Sequence, residues 1–176
     1  MLKPDTIAPP FSAVETTGKT IDLAELRQRG PVVLQFTRYI GCPLAQRRFV
    51  ELQAALPGFE KRGASLVVVT ESGEDHTRRF LGKRGLAFPV ICDTDKRLFA
   101  LYDANTGSFR QFIAPPVLAA TVRSLLAGFM QGKHDGATFQ LPADFIVAAD
   151  GSLLFAHYGE NIADHAPISK LLNLLD

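Results

Sequence analysis

The sequence is short of the residues that build metal and disulfide frameworks. Its 176 residues hold only two cysteines, Cys42 and Cys92, and four histidines, His76, His134, His157 and His165. There is no CxxC pair and no HxxxH spacing, so neither a metal site nor any other cofactor is expected. An excess of charge of one sign is also missing. Nineteen Lys plus Arg stand against eighteen Asp plus Glu, a formal net charge of +1. That balance leaves no electrostatic footprint for nucleic acid or an anionic membrane surface. No apolar run approaches the ~18 residues of a membrane span, and the longest, such as Leu66 to Val69, are strand-sized. The stretch from Met1 to Phe11 carries Asp5 and three prolines and lacks the apolar core of a secretory signal. A cytoplasmic protein with reduced thiols is therefore expected.

What is present is enough for one core. The chain is 47% hydrophobic with 13 phenylalanines, and at about 150 residues per domain it reads as a single domain, residues 1–176. Val32 to Phe36 and Ser65 to Thr70 are dense apolar runs of the kind buried on both faces of a sheet. Phe88 to Cys92 is a shorter third run, and Val14 to Lys19 reads as a short strand turning at Gly18. Helical spacing follows Pro43, with Ala45, Phe49, Leu52 and Leu56 on one side and Pro57-Gly58 weakening the end. Asp22, Asp75 and Asp93 open further helices. These alternations predict a parallel α/β core. Residues 103–141 break the rhythm and read as a helical insertion packed on the domain. Its helix after Pro115-Pro116 aligns Leu118, Val122, Leu125, Leu126 and Phe129, a stripe read as core or as a dimer surface. Asp150-Gly151 between two apolar runs predicts a β-hairpin, and a last helix is expected to open at Asp164 or His165. His165 reads as a surface or capping residue, His157 as half-buried, and Glu71 as a solvated helix start.

The segment Gly41-Cys42-Pro43 joins strand to helix and sets a thiol at a helix N-terminus. Free backbone N–H groups and the helix dipole favour an anion there, and Pro43 suits the first turn. Arg38, Arg47 and Arg48 push in the same direction, towards thiolate. Lowering a thiol pKa from about 8.5 to about 6 gains roughly thirtyfold in thiolate at pH 7. The accompanying loss of nucleophilicity takes back roughly tenfold. A fast reaction therefore needs positioned groups around the sulfur as well as a low pKa.

The run from Val33 to Ala45, Val-Leu-Gln-Phe-Thr-Arg-Tyr-Ile-Gly-Cys-Pro-Leu-Ala, resembles the active-site strand, loop and helix of the peroxiredoxin-like branch of the alkyl hydroperoxide reductase C / thiol-specific antioxidant (AhpC/TSA) superfamily. Lys3 to Phe11, Phe88-Pro-Val-Ile-Cys-Asp93 and Asp144 to Gly151 are similar to further segments of that family, in the same order. The resemblance implies a thioredoxin-like fold, a central mixed sheet flanked by helices, with the insertion before the final hairpin. It implies a thiol-dependent peroxidase that reduces hydrogen peroxide or organic hydroperoxides through a sulfenic acid on Cys42. It also implies a thiol reductant of thioredoxin, glutaredoxin or glutathione type, and it allows a homodimer. Pro142 stands where the fold carries a cis-proline facing the cysteine loop.

The chain departs from the family pattern P-x-x-x-T-x-x-C. Tyr39 stands three residues before Cys42, Gln35 seven before, and Thr37 five before. Arg38, Arg110 and Arg123 are candidates for the site arginine, and Ala45 replaces the second cysteine of relatives that carry CxxC. Cys92 is a candidate resolving thiol, alongside an external one. Two other readings stay open, a one-thiol oxidoreductase for disulfides or glutathione adducts, and a binding domain without catalysis.

Overall fold

The computed structural model describes residues 1–176. The elements run β1 (Ser12–Val14), β2 (Thr20–Asp22), α1 (Leu23–Arg27), β3 (Val32–Thr37), α2 (Pro43–Lys61), β4 (Ser65–Thr70), α3 (Glu74–Arg84) and β5 (Val90–Cys92). They continue as α4 (Arg97–Leu101), α5 (Phe109–Phe112), α6 (Pro115–Leu126), β6 (Ala143–Val147), β7 (Leu153–Tyr158) and α7 (Ile168–Asn173). Five strands form one sheet in the order β5-β4-β3-β6-β7, and β1 pairs with β2 in a separate hairpin. β3 is parallel to β4 and antiparallel to β6, which pairs with β7 across the Asp150-Gly151 turn. This is the mixed sheet flanked by helices that the family resemblance implies; the strand–helix alternation alone predicts a parallel core, which β6 and β7 break by running antiparallel.

Every residue of β3 is buried, because helices cover both faces of the sheet. Val32, Leu34 and Phe36 point into a core with Phe99, Tyr102 and Phe145. Val33 points into the opposite core with Phe49, Phe59 and Leu171. By the two-residue period of a strand, Gln35 and Thr37 follow Val33 onto that second face. Two polar side chains thus lie buried between the sheet and α2.

Several local expectations are corrected. α2 continues through Pro57 to Lys61. Asp93 caps α4 from upstream, its carboxylate accepting from the N–H groups of Leu98 and Phe99 at 2.8 and 2.9 Å. α7 begins at Ile168, not at Asp164 or His165. Four residues of the stripe face outward: Leu118 is 61% and Leu126 84% exposed, with Val122 and Leu125 also exposed, while Phe129, past the end of α6, is buried as the core reading expects. The inward face carries Val117 and Ser124 instead. Its small residues let α6 lie close to α2, and Ser124 satisfies its own hydroxyl on the Ala120 carbonyl at 2.8 Å.

The peptide bond before Pro142 is trans, as is every other in the chain. Cis proline serves tight turns. Here the chain enters β6 along an extended path, from the bridge between Thr106 and Gln140. The Pro142 carbonyl then accepts from the Gly159 N–H at 2.9 Å. Pro142 lines a cavity with Met1, Asp103 and Tyr158 and is not among the residues lining the cavity at Ala45.

Candidate active site

Cys42 is the N-cap of α2, in extended conformation, with Pro43 as the first helical residue. Its N–H donates to the Tyr39 carbonyl and its carbonyl accepts from the Gln46 N–H, both at 3.0 Å. The N–H groups of Leu44 and Ala45 meet no backbone carbonyl, as expected for the first turn of a helix. The thiol is 5% exposed and packs among Tyr39, Leu44 and Ala45.

A strap lies against this loop. Gly128, at φ +83°, turns the chain out of α6, and residues 129–138 then pack against Tyr39, Gly41 and Gln46. The Gly132 N–H donates to the Gly41 carbonyl at 2.8 Å, and Gln46 Nε2 donates to the Met130 carbonyl at 3.0 Å. The His134 ring lies 4.4 Å from the Tyr39 ring. Asp135 accepts from Ser72 Oγ at 2.7 Å and meets His76 Nδ1 at 2.8 Å. Burial pushes its carboxyl pKa up, but the bonds from His76 and Ser72 more than reverse this and hold it below the ordinary value. Glu71 is buried, not solvated. It accepts from the Ala137 N–H and pairs with Lys96 Nζ, each at 2.8 Å. Burial and the neighbouring Cys42 push the Tyr39 phenol up, against the pull of Arg38 and Gln131.

Buried donors collect around the thiol loop. Arg38 is 2% exposed, and one Nη donates to the Thr138 carbonyl at 2.6 Å. Its Nε and other Nη have no hydrogen-bond partner, nor has Thr37 Oγ1 or Gln35 Nε2. Such groups are costly to bury unless something accepts from them. Thr37, Arg38, Leu44 and Ala45 are among the residues lining one cavity of about 180 Å3. Cys42 is not part of the lining, but it packs against Ala45, which is.

A buried ionic network braces the outer wall. Arg48 donates from Nε to Gln35 Oε1 at 3.0 Å and from Nη2 to the Ala166 carbonyl at 2.9 Å. Asp144 is fully buried, 3.9 Å from Arg48, and accepts from the Ala166 N–H at 2.6 Å. His165 Nδ1 lies 2.9 Å from Asp144 Oδ1. Burial alone would raise the Asp144 carboxyl, but His165, Arg48 and the Ala166 N–H hold it below the ordinary value. Sequence reasoning took His165 for a surface residue and passed over Asp144. The available signal was an acid inside the apolar run Ala-Asp-Phe-Ile-Val, which must find partners when buried.

The other candidates lie apart. Cys92 pairs with Thr70, which pairs with Thr37, so two strand spacings, about 10 Å, separate Cys92 from Thr37. Cys92 is half-buried against Thr77, and burial raises its thiol. Both cysteines are free. Arg110 is exposed on α5, whereas Arg38 and Arg123 both line the cavity.

A single thiol at a helix N-terminus, on a mixed sheet flanked by helices, defines the class of thioredoxin-fold thiol proteins. Residues 4–156 match the AhpC/TSA family, and the chain belongs to that family. It is 20% identical over 172 residues to peroxiredoxin-like 2C of Bos taurus, covering 92% of this chain and 75% of the relative. Peroxidoxin BcpB from Mycobacterium tuberculosis superposes with a TM-score of 0.72 at 18% identity, over 99% of this chain and 97% of that one. A yeast mitochondrial 1-Cys peroxiredoxin, described with a thiol resolving mechanism via glutathione/thioredoxin systems, gives a TM-score of 0.72 at 17% identity, over 99% and 75%.

Proposed function

We propose that the chain is a one-cysteine thiol peroxidase in which Cys42 is the nucleophile. The observation that carries this reading is the set of unpartnered donors on residues that line the cavity, Thr37 Oγ1 and Arg38 Nε among them. The Cys42 thiolate attacks one oxygen of a hydroperoxide. The S–O bond forms as the O–O bond breaks, and the leaving oxygen takes a proton and departs as water or an alcohol. Thr37, Arg38 and the N–H groups of Leu44 and Ala45 hold the charge that develops on the oxygens. A thiol then attacks the sulfenic sulfur, giving a mixed disulfide and water, and a second thiol releases Cys42 as the thiol. The reducing thiol comes from outside the chain, of thioredoxin, glutaredoxin or glutathione type, because Cys92 lies in different surroundings. The burial of Cys42 beside the strap favours a small peroxide over the bulky disulfide that the one-thiol oxidoreductase reading requires. Reduced thiols of this kind suit the cytoplasm.

Stopped-flow oxidation of the reduced protein by hydrogen peroxide at pH 7 tests this. The expected rate is thousands of times that of a free thiol, unchanged in Cys92→Ser and abolished in Cys42→Ser. A rate near that of free cysteine sinks the reading.

A further inference from the structure

The cavity beside the Cys42 turn carries more positive charge than peroxide chemistry uses. Arg38, Arg47, Arg48 and Arg123 line it against one carboxylate, Glu51. Glu51 is taken by Arg47 at 2.7 Å, and Arg48 is held within the Asp144 network. Arg123, exposed on α6, is in no ion pair, and Arg38 has none either. With the free donors of Arg38 and Thr37 given to the peroxide, Arg123 is the lining cation left without an acceptor.

We propose that this cavity is an anion subsite that takes the carboxylate of a compact co-substrate, an inference that rests on the peroxidase reading. Guanidinium groups meet carboxylates through two parallel N–H donors, which sets Arg123 as the outer clamp. The cavity, about 180 Å3, is that of a small-molecule site. Ala45, packed against Cys42, and Arg48 are three residues apart on α2, about 4.5 Å along the axis, so the cavity runs along α2 from the thiol's neighbour. A short mercapto-carboxylate fits, its sulfur adding to the Cys42 sulfenic acid with release of water, and so does a short carboxylated hydroperoxide.

Calorimetric titration of the reduced full chain with sodium propionate at constant ionic strength tests the site without turnover. Propionate is expected to bind, and neutral propionamide not to. Arg123→Gln is expected to weaken propionate about tenfold, the size of one charge-assisted hydrogen bond, with an unchanged melting curve. Equal binding of propionate and propionamide, no binding of either, or inorganic phosphate outcompeting propionate would overturn the proposal. The wild-type comparison stands even if the variant fails to fold. Two kinetic arms separate the sources. Faster reduction of the sulfenate by 3-mercaptopropionate than by 2-mercaptoethanol assigns the carboxylate to the reductant. Faster oxidation by a short carboxylated hydroperoxide than by its methyl ester assigns it to the oxidant. Equal rates within both pairs overturn the assignment. Slow oxidation by hydrogen peroxide would instead count against the peroxidase reading, and the titration would still judge the anion site.

Discussion

Gly41 holds the thiol loop against the strap. A Cβ at this position would fall inside the van der Waals radius of the Lys133 carbonyl oxygen, a backbone atom that cannot swing aside. Gly41→Ala is therefore expected to push the strap off the loop, at about 1–3 kcal/mol of overpacking, and to open Cys42 to solvent. Iodoacetamide should label Cys42 faster in the variant than in the wild type, and equal labelling rates would show that the strap does not cover the thiol. At this scale the sequence was most legible where chemistry is local. Cys42 at the start of a helix follows from Gly41-Cys42-Pro43 alone. Arg38 was named as a candidate, but its burial was not visible, because Thr138, which accepts from it, lies 100 residues away. His165 was misread for the same reason, since its partner Asp144 stands 21 residues off on another element.

The strap is an element without regular structure, held by side chains from the body of the protein. Asp135 joins it to Ser72 and His76, and Glu71 joins it again at Ala137. Removing the Asp135 charge is expected to loosen this segment while leaving the sheet intact, because its bonds to Ser72 and His76 lie outside the strands. Hydrogen exchange of the Gly132 amide should quicken in Asp135→Asn, while amides of β3 keep the wild-type rate. Uniform quickening would mean that Asp135 supports the whole fold. The strands and α2 were legible because period and breakers mark them. The strap was not, since it has no period to read. α6 was found by its period, but its orientation was misjudged. Hydrophobicity alone assigned the larger residues to the core, whereas close approach to α2 selected the smaller face. That leaves Leu118, Val122, Leu125 and Leu126 in water, a contiguous apolar patch of the kind that marks an interaction surface. We propose a second copy of this chain as its partner. Sedimentation equilibrium should give a dimer that Leu118→Glu with Leu126→Glu converts to monomer, and a wild-type monomer at high concentration would rule that partner out.

Across the whole molecule, one buried charge network joins α2, β6 and the segment before α7. Asp144 stands within the sheet and accepts from His165 and the Ala166 N–H, with Arg48 arriving from α2. Taking away one member strands the others. Asp144→Ala leaves the Arg48 charge buried without its counter-charge, a loss of about 3–5 kcal/mol for a broken buried pair. The pH dependence has a definite sign. The Asp144 carboxyl is held below its ordinary value in the folded protein, so the folded state binds its proton less readily than the unfolded chain. Its contribution is fully present above the unfolded carboxylate pKa of about 3.9 and is lost as pH falls through the folded value. Urea unfolding followed from pH 7 downward should therefore show the wild type losing stability below about pH 4. Asp144→Ala, less stable at neutral pH, should show a shallower fall, so that the two curves converge in acid. Curves that stay parallel from neutral pH into acid would show that Asp144 carries no net charge-dependent stability. The site would then owe its rigidity to the packing of α2 on the sheet alone.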